Sequence, residues 1–195
     1  SGPRFGSGFM PLVTLWPQGQ QFDAAIISHS DLDHAGGIDA LIEEHDVSMW
    51  WSPGVDRLHT DPSAIEISTC RGGQSWRWNG VDFRFLWPMK NPAGLESNDR
   101  SCVLLVEAGE QRVLISGDAS AAIEAELLDS LPAGITLLVA GHHGSKTSSS
   151  FAWVAATHPE HVLFSAGRDN SHGHPHPPVV RRFREVGSCL WSTAE

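Results

Sequence analysis

The apolar run Ala24-Ala25-Ile26-Ile27 leads straight into Ser28-His29-Ser30-Asp31-Leu32-Asp33-His34-Ala35-Gly36-Gly37, and this junction constrains the fold more than any other stretch. A buried strand that ends in a polar loop delivers its side chains to one sheet edge. Four metal-capable groups, His29, Asp31, Asp33 and His34, lie within six residues. His29 and Asp31 are separated by Ser30, so they project the same way from an extended segment. Asp33 and His34 fall on the turn that follows. Imidazole nitrogen and carboxylate oxygen suit zinc or manganese. Two adjacent sites can form, His29 and Asp31 serving one ion and Asp33 and His34 the other. A polar loop with Asp33 capping a helix is the alternative. Converging carboxylates without a cation are costly, and that weighs against it.

The same design recurs. Val113-Leu114-Ile115-Ser116-Gly117-Asp118 is an apolar strand ending in a carboxylate that could bridge two cations or cap a helix beginning at Ser120. Leu137-Leu138-Val139-Ala140 runs into Gly141-His142-His143-Gly144-Ser145-Lys146, where one imidazole can ligate and the other meet a substrate. Ser145 and Lys146 could contact an anion, although Lys146 equally suits a solvated surface. A third polar loop, 165–177, carries His172, His174 and His176 among Gly and Pro. It follows a strand and precedes a helix whose first turn suits Pro177 and Pro178, which favours a site loop over a tail-like metal tract. Asn98-Asp99-Arg100-Ser101 precedes a strand and could reach the same place, or serve only as a turn. His45, His59, His158 and His161 lack such context and read as ordinary core or surface residues.

Between these loops the pattern alternates. Strands are expected at Ala24–Ser28, Val47–Trp51, Leu137–Ala140, His161–Ala166 and Cys189–Trp191. Helices are expected at Gly37–His45, Ser120–Leu128, Phe151–Ala156 and Val179–Val186. Asn79-Gly80 between Trp76–Trp78 and Val81–Leu86 suits a type I′ hairpin, and Gly109-Glu110 joins a second, Ser101–Ala108 with Gln111–Ser116. The class is α/β, with sheets covered by helices. A chain of 195 residues suggests one domain over 1–195. No apolar run approaches the roughly 20 residues of a membrane span, and no signal peptide is visible. The net charge of −10 argues against a broad nucleic-acid-binding surface. It leaves room for a phosphate held locally by metals. Cys70, Cys102 and Cys189 form no CxxC and are expected as buried thiols. The Gly-rich start, residues 1–8, reads as a loop, and the chain is expected to have been cut from something longer.

Jointly, HSDLDH, the strand ending in Ser116-Gly117-Asp118, Gly141-His142-His143-Gly144-Ser145 and Gly173-His174-Pro175-His176-Pro177 resemble the metallo-β-lactamase superfamily. They are most similar to its branch in the C-terminal domain of ComEC-type competence DNA-uptake proteins. Asp31 stands where the commoner HxHxDH motif has its second histidine, and Asn98 and Ser101 occupy a stretch where other members place a ligand histidine. The resemblance implies an αββα sandwich of two mixed sheets covered by helices, truncated at both ends, without the family's first hairpin. It implies two divalent metals, manganese or zinc, and a phosphodiesterase that cleaves DNA, single-stranded DNA favoured, on the strand that is not imported. Residue by residue it implies metal ligation by His29, Asp31, Asp33, His34, Asp118 and His143. It implies catalytic roles for Asp33, His142 and His174, and substrate contacts from Asn98, Ser101, Ser145, Lys146, His174 and His176. The implied partners are DNA and the rest of a ComEC-like protein, a membrane channel and an oligonucleotide-binding domain. The implied setting is a soluble domain on the outer face of a bacterial inner membrane. A hydrolase of the same fold acting on a small phosphodiester, lactone or thioester, and a non-catalytic docking module, are the alternatives.

Overall fold

The structure is a computed structural model that describes residues 16, 18–54, 58, 65–89, 92 and 94–194. The Gly-rich start and His59 lie outside the described residues. The chain divides into two compact units, Ser1–Cys70 and Arg71–Glu195.

In the first unit, β1 (Gln21–Phe22) pairs in parallel with β3 (Asp46–Val47), and β2 (Ala25–Ile26), β4 (Trp50–Ser52) and β5 (Ile67–Thr69) form a parallel three-stranded sheet in the order β2-β4-β5. The single strand expected over 47–51 is therefore two short ones. Its hydrogen bonds nevertheless run on across the interruption, from Ser48 N–H to Phe22 O at 3.0 Å and from Ala25 N–H to Met49 O at 2.9 Å. The turn expected to carry Asp33 and His34 is a one-turn helix, α1 (Leu32–Ala35), followed by α2 (Ile38–Glu44). Ile27, Ala35, Ile38 and Trp50 are the buried heart of this unit.

The second unit is a seven-stranded mixed sheet in the order β12-β11-β10-β9-β8-β7-β6. Its strands are β6 (Ser75–Trp78), β7 (Val81–Trp87), β8 (Val103–Ala108), β9 (Gln111–Ile115), β10 (Leu137–Val139), β11 (His161–Phe164) and β12 (Cys189–Ser192). Both expected hairpins form. Asn79 and Gly80 have φ of 47° and 87°, both in the left-handed region that a type I′ turn requires. Leu105, Leu114, Leu138 and Val162 are register partners across four strands, and each has 0% exposure. Onto this row pack Ile123 and Leu127 of α3 (Ala121–Leu127), Trp153 and Val154 of α4 (Phe151–Thr157), and Val179 and Phe183 of α5 (Pro177–Glu185). Truncating one such leucine to alanine typically costs about 2–5 kcal/mol.

The topology decides where the polar loops go. Strands β9, β10 and β11 are parallel, so the loops after all three leave from the same edge. Strand β8 is antiparallel to β9, so the turn before it lies at that edge too. Ligand sites in α/β sheets form at this carboxyl end.

One expectation is corrected. Cys70 and Cys102, read as thiols, are disulfide-bonded, and Cys189 is the free cysteine. Among the described residues, no helix is long and apolar enough to cross a membrane.

Candidate metal centre

In the first unit, β2 delivers His29 into the interior, where it is fully buried. Its Nε2 lies 3.7 Å from Asp31 Oδ2, and His34 Nε2 lies 3.7 Å from Asp33 Oδ2. These separations are too long for hydrogen bonds. Ligand atoms sharing one tetrahedral zinc ion sit about 3.3–3.5 Å apart, given bonds of about 2.0–2.2 Å. Both pairs are thus near the spacing an ion would impose. The alternative of Asp33 as a helix cap is not met: Asp33 lies inside α1, and the N-cap is Asp31, whose side chain makes no capping hydrogen bond.

Ser28 explains how the imidazoles are aimed. Its Oγ lies 3.2 Å from His29 Nδ1 and 3.0 Å from His34 Nδ1, and the two rings are 4.1 Å apart between centroids. A hydroxyl has two lone pairs, so Ser28 can accept from both Nδ1–H groups. Both Nε2 atoms then keep a lone pair for a ligand, the usual arrangement of a metal-binding histidine and its supporting partner.

In the second unit, Asp118 is buried at the end of β9. Its Oδ2 lies 3.7 Å from His142 Nε2 and 3.8 Å from His143 Nε2. His143 Nδ1 lies 2.6 Å from the Ser165 carbonyl, so Nδ1 must carry the proton and Nε2 the lone pair. His142 Nδ1 lies 3.0 Å from Thr147 Oγ1 and 3.5 Å from Asn98 Nδ2. Both histidines are in the left-handed region, with φ of 49° and 56°. That conformation costs a non-glycine residue about 1–2 kcal/mol, and strain held this way clusters at functional sites. Gly144 follows with φ +86°; a Cβ there would lie 2.6 Å from Pro175 Cβ and 2.9 Å from Phe164 Cδ1. Glycine thus lets the His142-His143 loop close onto the His174 loop.

The remaining expected residues are placed as follows. His174 is half-buried, with ring centroids 5.6 Å from His142, 6.3 Å from His143 and 4.9 Å from His176. Burial, then the neighbouring imidazoles of His176, His142, His143 and His172, push its pKa down to about 4. His176 is the N-cap of α5, and its N–H donates to Gly144 O at 3.0 Å. Ser145 is buried and accepts from the Thr147 hydroxyl at 3.1 Å. Lys146 is exposed, and Asn98 is half-buried beside His142. Ser101, expected at the substrate, has 0% exposure, and its Oγ accepts the Asp118 N–H at 2.9 Å. It therefore stands behind the carboxylate as a strut.

Three positioning residues had no clear signal in the sequence. Asp99 Oδ1 accepts the Ser120 N–H at 3.0 Å and, with Ser101, ties the turn before β8 to the Asp118 loop. Asn170 clasps the histidine loop, accepting the His174 N–H at 2.9 Å and donating to the His174 carbonyl at 2.7 Å. Glu124 is 1% exposed and accepts the N–H groups of Ser149 and Ser150 at 2.5 and 2.8 Å, fixing the end of the His142-His143 loop.

The sequence profile of the Metallo-beta-lactamase superfamily matches residues 17–168. The chain belongs to the metallo-β-lactamase superfamily. The superfamily is a class of metal-dependent hydrolases, and the donor sets above fit divalent metals: carboxylates and imidazoles face one another at ligand spacing, and the far nitrogen of His143 is fixed by a carbonyl. Among relatives, "Recombination protein 2" of Haemophilus influenzae is 32% identical over 203 residues, covering 100% of this chain and 24% of the relative. "Competence protein ComA" of Neisseria gonorrhoeae is 34% identical, covering 89% of this chain and 24% of the relative. The chain thus spans about a quarter of the length of these relatives, and the likeness to competence proteins read from its motifs holds along the chain. Among solved structures, the metallo-beta-lactamase fold protein YhfI of Bacillus subtilis is 14% identical, with a TM-score of 0.57 over 89% of this chain and 75% of that one. The expected metallo-β-lactamase-like α/β fold is therefore the observed one.

Proposed function

We propose that the chain is a two-metal phosphodiesterase module that hydrolyses DNA, single-stranded DNA in preference, within a longer competence DNA-uptake protein. The observation that carries this reading is Asp118, a buried carboxylate whose Oδ2 is within 3.8 Å of two imidazole Nε2 atoms. On this reading His29 and Asp31 would hold one ion, Asp33 and His34 the other, and Asp118 and His143 would be further metal ligands. Bound divalent ions there would lower the pKa of a water and neutralise charge on the phosphate oxygens.

The chain's own groups do the rest. Asp33, the more exposed carboxylate at 61% of its side chain, orients the attacking water and accepts its proton. The water oxygen bonds to phosphorus as the bond to one ester oxygen breaks. His142 and His174 stabilise charge on the phosphate oxygens as it develops. Asn98, Ser145, Lys146 and His176 line the approach of the substrate, and Ser101 holds Asp118 by its main chain. Manganese serves better than magnesium, because imidazoles suit it better. The strand attacked would be the one not imported, on the outer face of the inner membrane. A channel and an oligonucleotide-binding domain of the same protein would deliver it.

The test is metal analysis of the purified chain, then a time course on labelled single- and double-stranded oligonucleotides with manganese, magnesium or chelator, and with Asp33→Ala. Manganese-dependent cleavage, lost in chelator and in Asp33→Ala, is expected. A folded, metal-loaded chain that cuts no DNA would refute the DNA reading.

A further inference from the structure

Among the described residues the most exposed large apolar side chain is Phe151, at 68%. The fold has no need of it there: Trp153 and Val154 of the same helix fill the core, and Phe151 lies outside it. Its ring is nonetheless held in place. The Arg182 guanidinium carbon lies 4.5 Å from the ring centroid, and Arg182 Nη1 donates to the Ser149 carbonyl at 2.7 Å. Glu124, which receives the Ser149 and Ser150 N–H groups, fixes the backbone on which Phe151 stands. An aromatic ring backed by an anchored cation, with most of its surface in water, is a ready stacking surface.

Its position and the local charge say what would stack on it. Phe151 begins the helix that follows the His142-His143 loop, and Arg182 is on the helix that follows the His174 loop. The chain as a whole carries −10, yet residues 142–185 hold five Lys and Arg against three Asp and Glu. Lys146 and Arg181 are exposed within this segment, and neither forms an ion pair among the described residues. Within an acidic chain, the segment of the histidine loops thus carries a small excess of positive charge. A single ring beside cations is too small an apolar patch for a protein interface, which usually runs to several hundred Å². It matches one base and its flanking phosphates.

We propose that Phe151 and Arg182 form a stacking platform for an unpaired base, with the exposed Lys146 and Arg181 adding positive charge for the strand's phosphates. The proposal rests on the DNA reading above and gives it a physical basis for preferring single strands: in a duplex the base faces are already stacked.

The test is the dissociation constant of a fluorescein-labelled oligothymidylate, measured by anisotropy at low salt without added metal. The full chain is compared with Phe151→Ala and Phe151→Trp, and each also meets an abasic oligomer of the same length. Phe151 is exposed, so the substitutions should leave the thermal unfolding midpoint in place. Phe151→Ala should weaken oligothymidylate binding roughly 5- to 150-fold, and Phe151→Trp should stay within about twofold of wild type. The abasic oligomer should bind wild type weakly and be insensitive to the alanine change. Equal binding by wild type and Phe151→Ala would overturn the platform while leaving metal-dependent DNA cleavage to stand on its own assay. Wild type that hydrolyses bis(p-nitrophenyl) phosphate but binds no oligothymidylate would overturn both the platform and the DNA reading, leaving a small-diester hydrolase.

Discussion

Replacing Glu124 by alanine should destabilise the protein by about 2–4 kcal/mol, although no part of Glu124 reaches a substrate. The side chain is 1% exposed and accepts two main-chain N–H groups, from Ser149 and Ser150. Ser149 is fully buried, so its N–H would find no water, and an unsatisfied buried donor costs about 1–3 kcal/mol. Ser150 is half-buried and can hydrate, which makes its share smaller. Arg182 loses a favourable charge interaction as well, since the same carboxylate lies in its field. Against these losses stands the cost of keeping a carboxylate out of water, which the alanine removes. For a chain of this size each 1 kcal/mol moves the unfolding midpoint by about 2–4 °C, so the midpoint should fall by about 5–15 °C. The assay is thermal or urea denaturation, with the exposed Glu126→Ala as control.

Titration gives a second handle on the same residue. Burial raises the Glu124 pKa above 4.5, and the hydrogen bonds from Ser150 and Ser149 only partly offset it. A folded-state pKa above the unfolded value favours folding most below 4.5, and that advantage is lost as pH rises through the folded value. The stability of wild type relative to Glu124→Gln should therefore decline from acid to neutral pH. An alanine variant within about 0.5 kcal/mol of wild type, below the range expected for a lost buried acceptor, would refute the account. So would a difference from the glutamine variant that grows with pH.

The remaining predictions concern the metals. Asp118→Asn should lower phosphodiester hydrolysis by at least about a hundredfold, since electrostatic contributions of this kind are commonly worth ~10²–10³ in rate. Asp129→Asn should do little, and a near-wild-type rate in the Asp118 variant would reduce that residue to scaffold. Asp31→His should tighten zinc binding in a chelator competition, because imidazole is a good ligand for zinc and the change restores the commoner HxHxDH pattern. Equal or weaker affinity would remove Asp31 from the ligand set.

Much of the fold was legible because it rests on local signals. Asn79-Gly80 sets a hairpin by turn chemistry, and Pro177-Pro178 opens a helix by its missing N–H groups. Strand-then-polar-loop junctions located His29, Asp118 and His142 without any contact information. What escaped depends on the chain meeting itself at long range. Ser28 looks like an ordinary residue before a histidine until His34 folds back onto its hydroxyl. Glu124 sits in an amphipathic helix and looks solvated, and only the arrival of Ser149 and Ser150 makes it a buried acceptor. Ser101 is expected at the substrate, whereas in the fold its hydroxyl accepts the Asp118 N–H, a long-range contact that no local pattern signals.

The left-handed pair His142 and His143 sets a rule for anyone mutating the loop. Any substitution there changes two quantities together, the ring and the torsional strain. Valine or threonine adds a branched Cβ where φ is positive, so a dead variant would report on backbone displacement and say nothing of imidazole chemistry. Glycine errs the other way, erasing the ring and relaxing the chain at once. Asparagine tolerates this region of torsion space and lacks the imidazole, which makes His143→Asn the comparison that isolates the ring. The backbone here decides which genetic experiments can be interpreted.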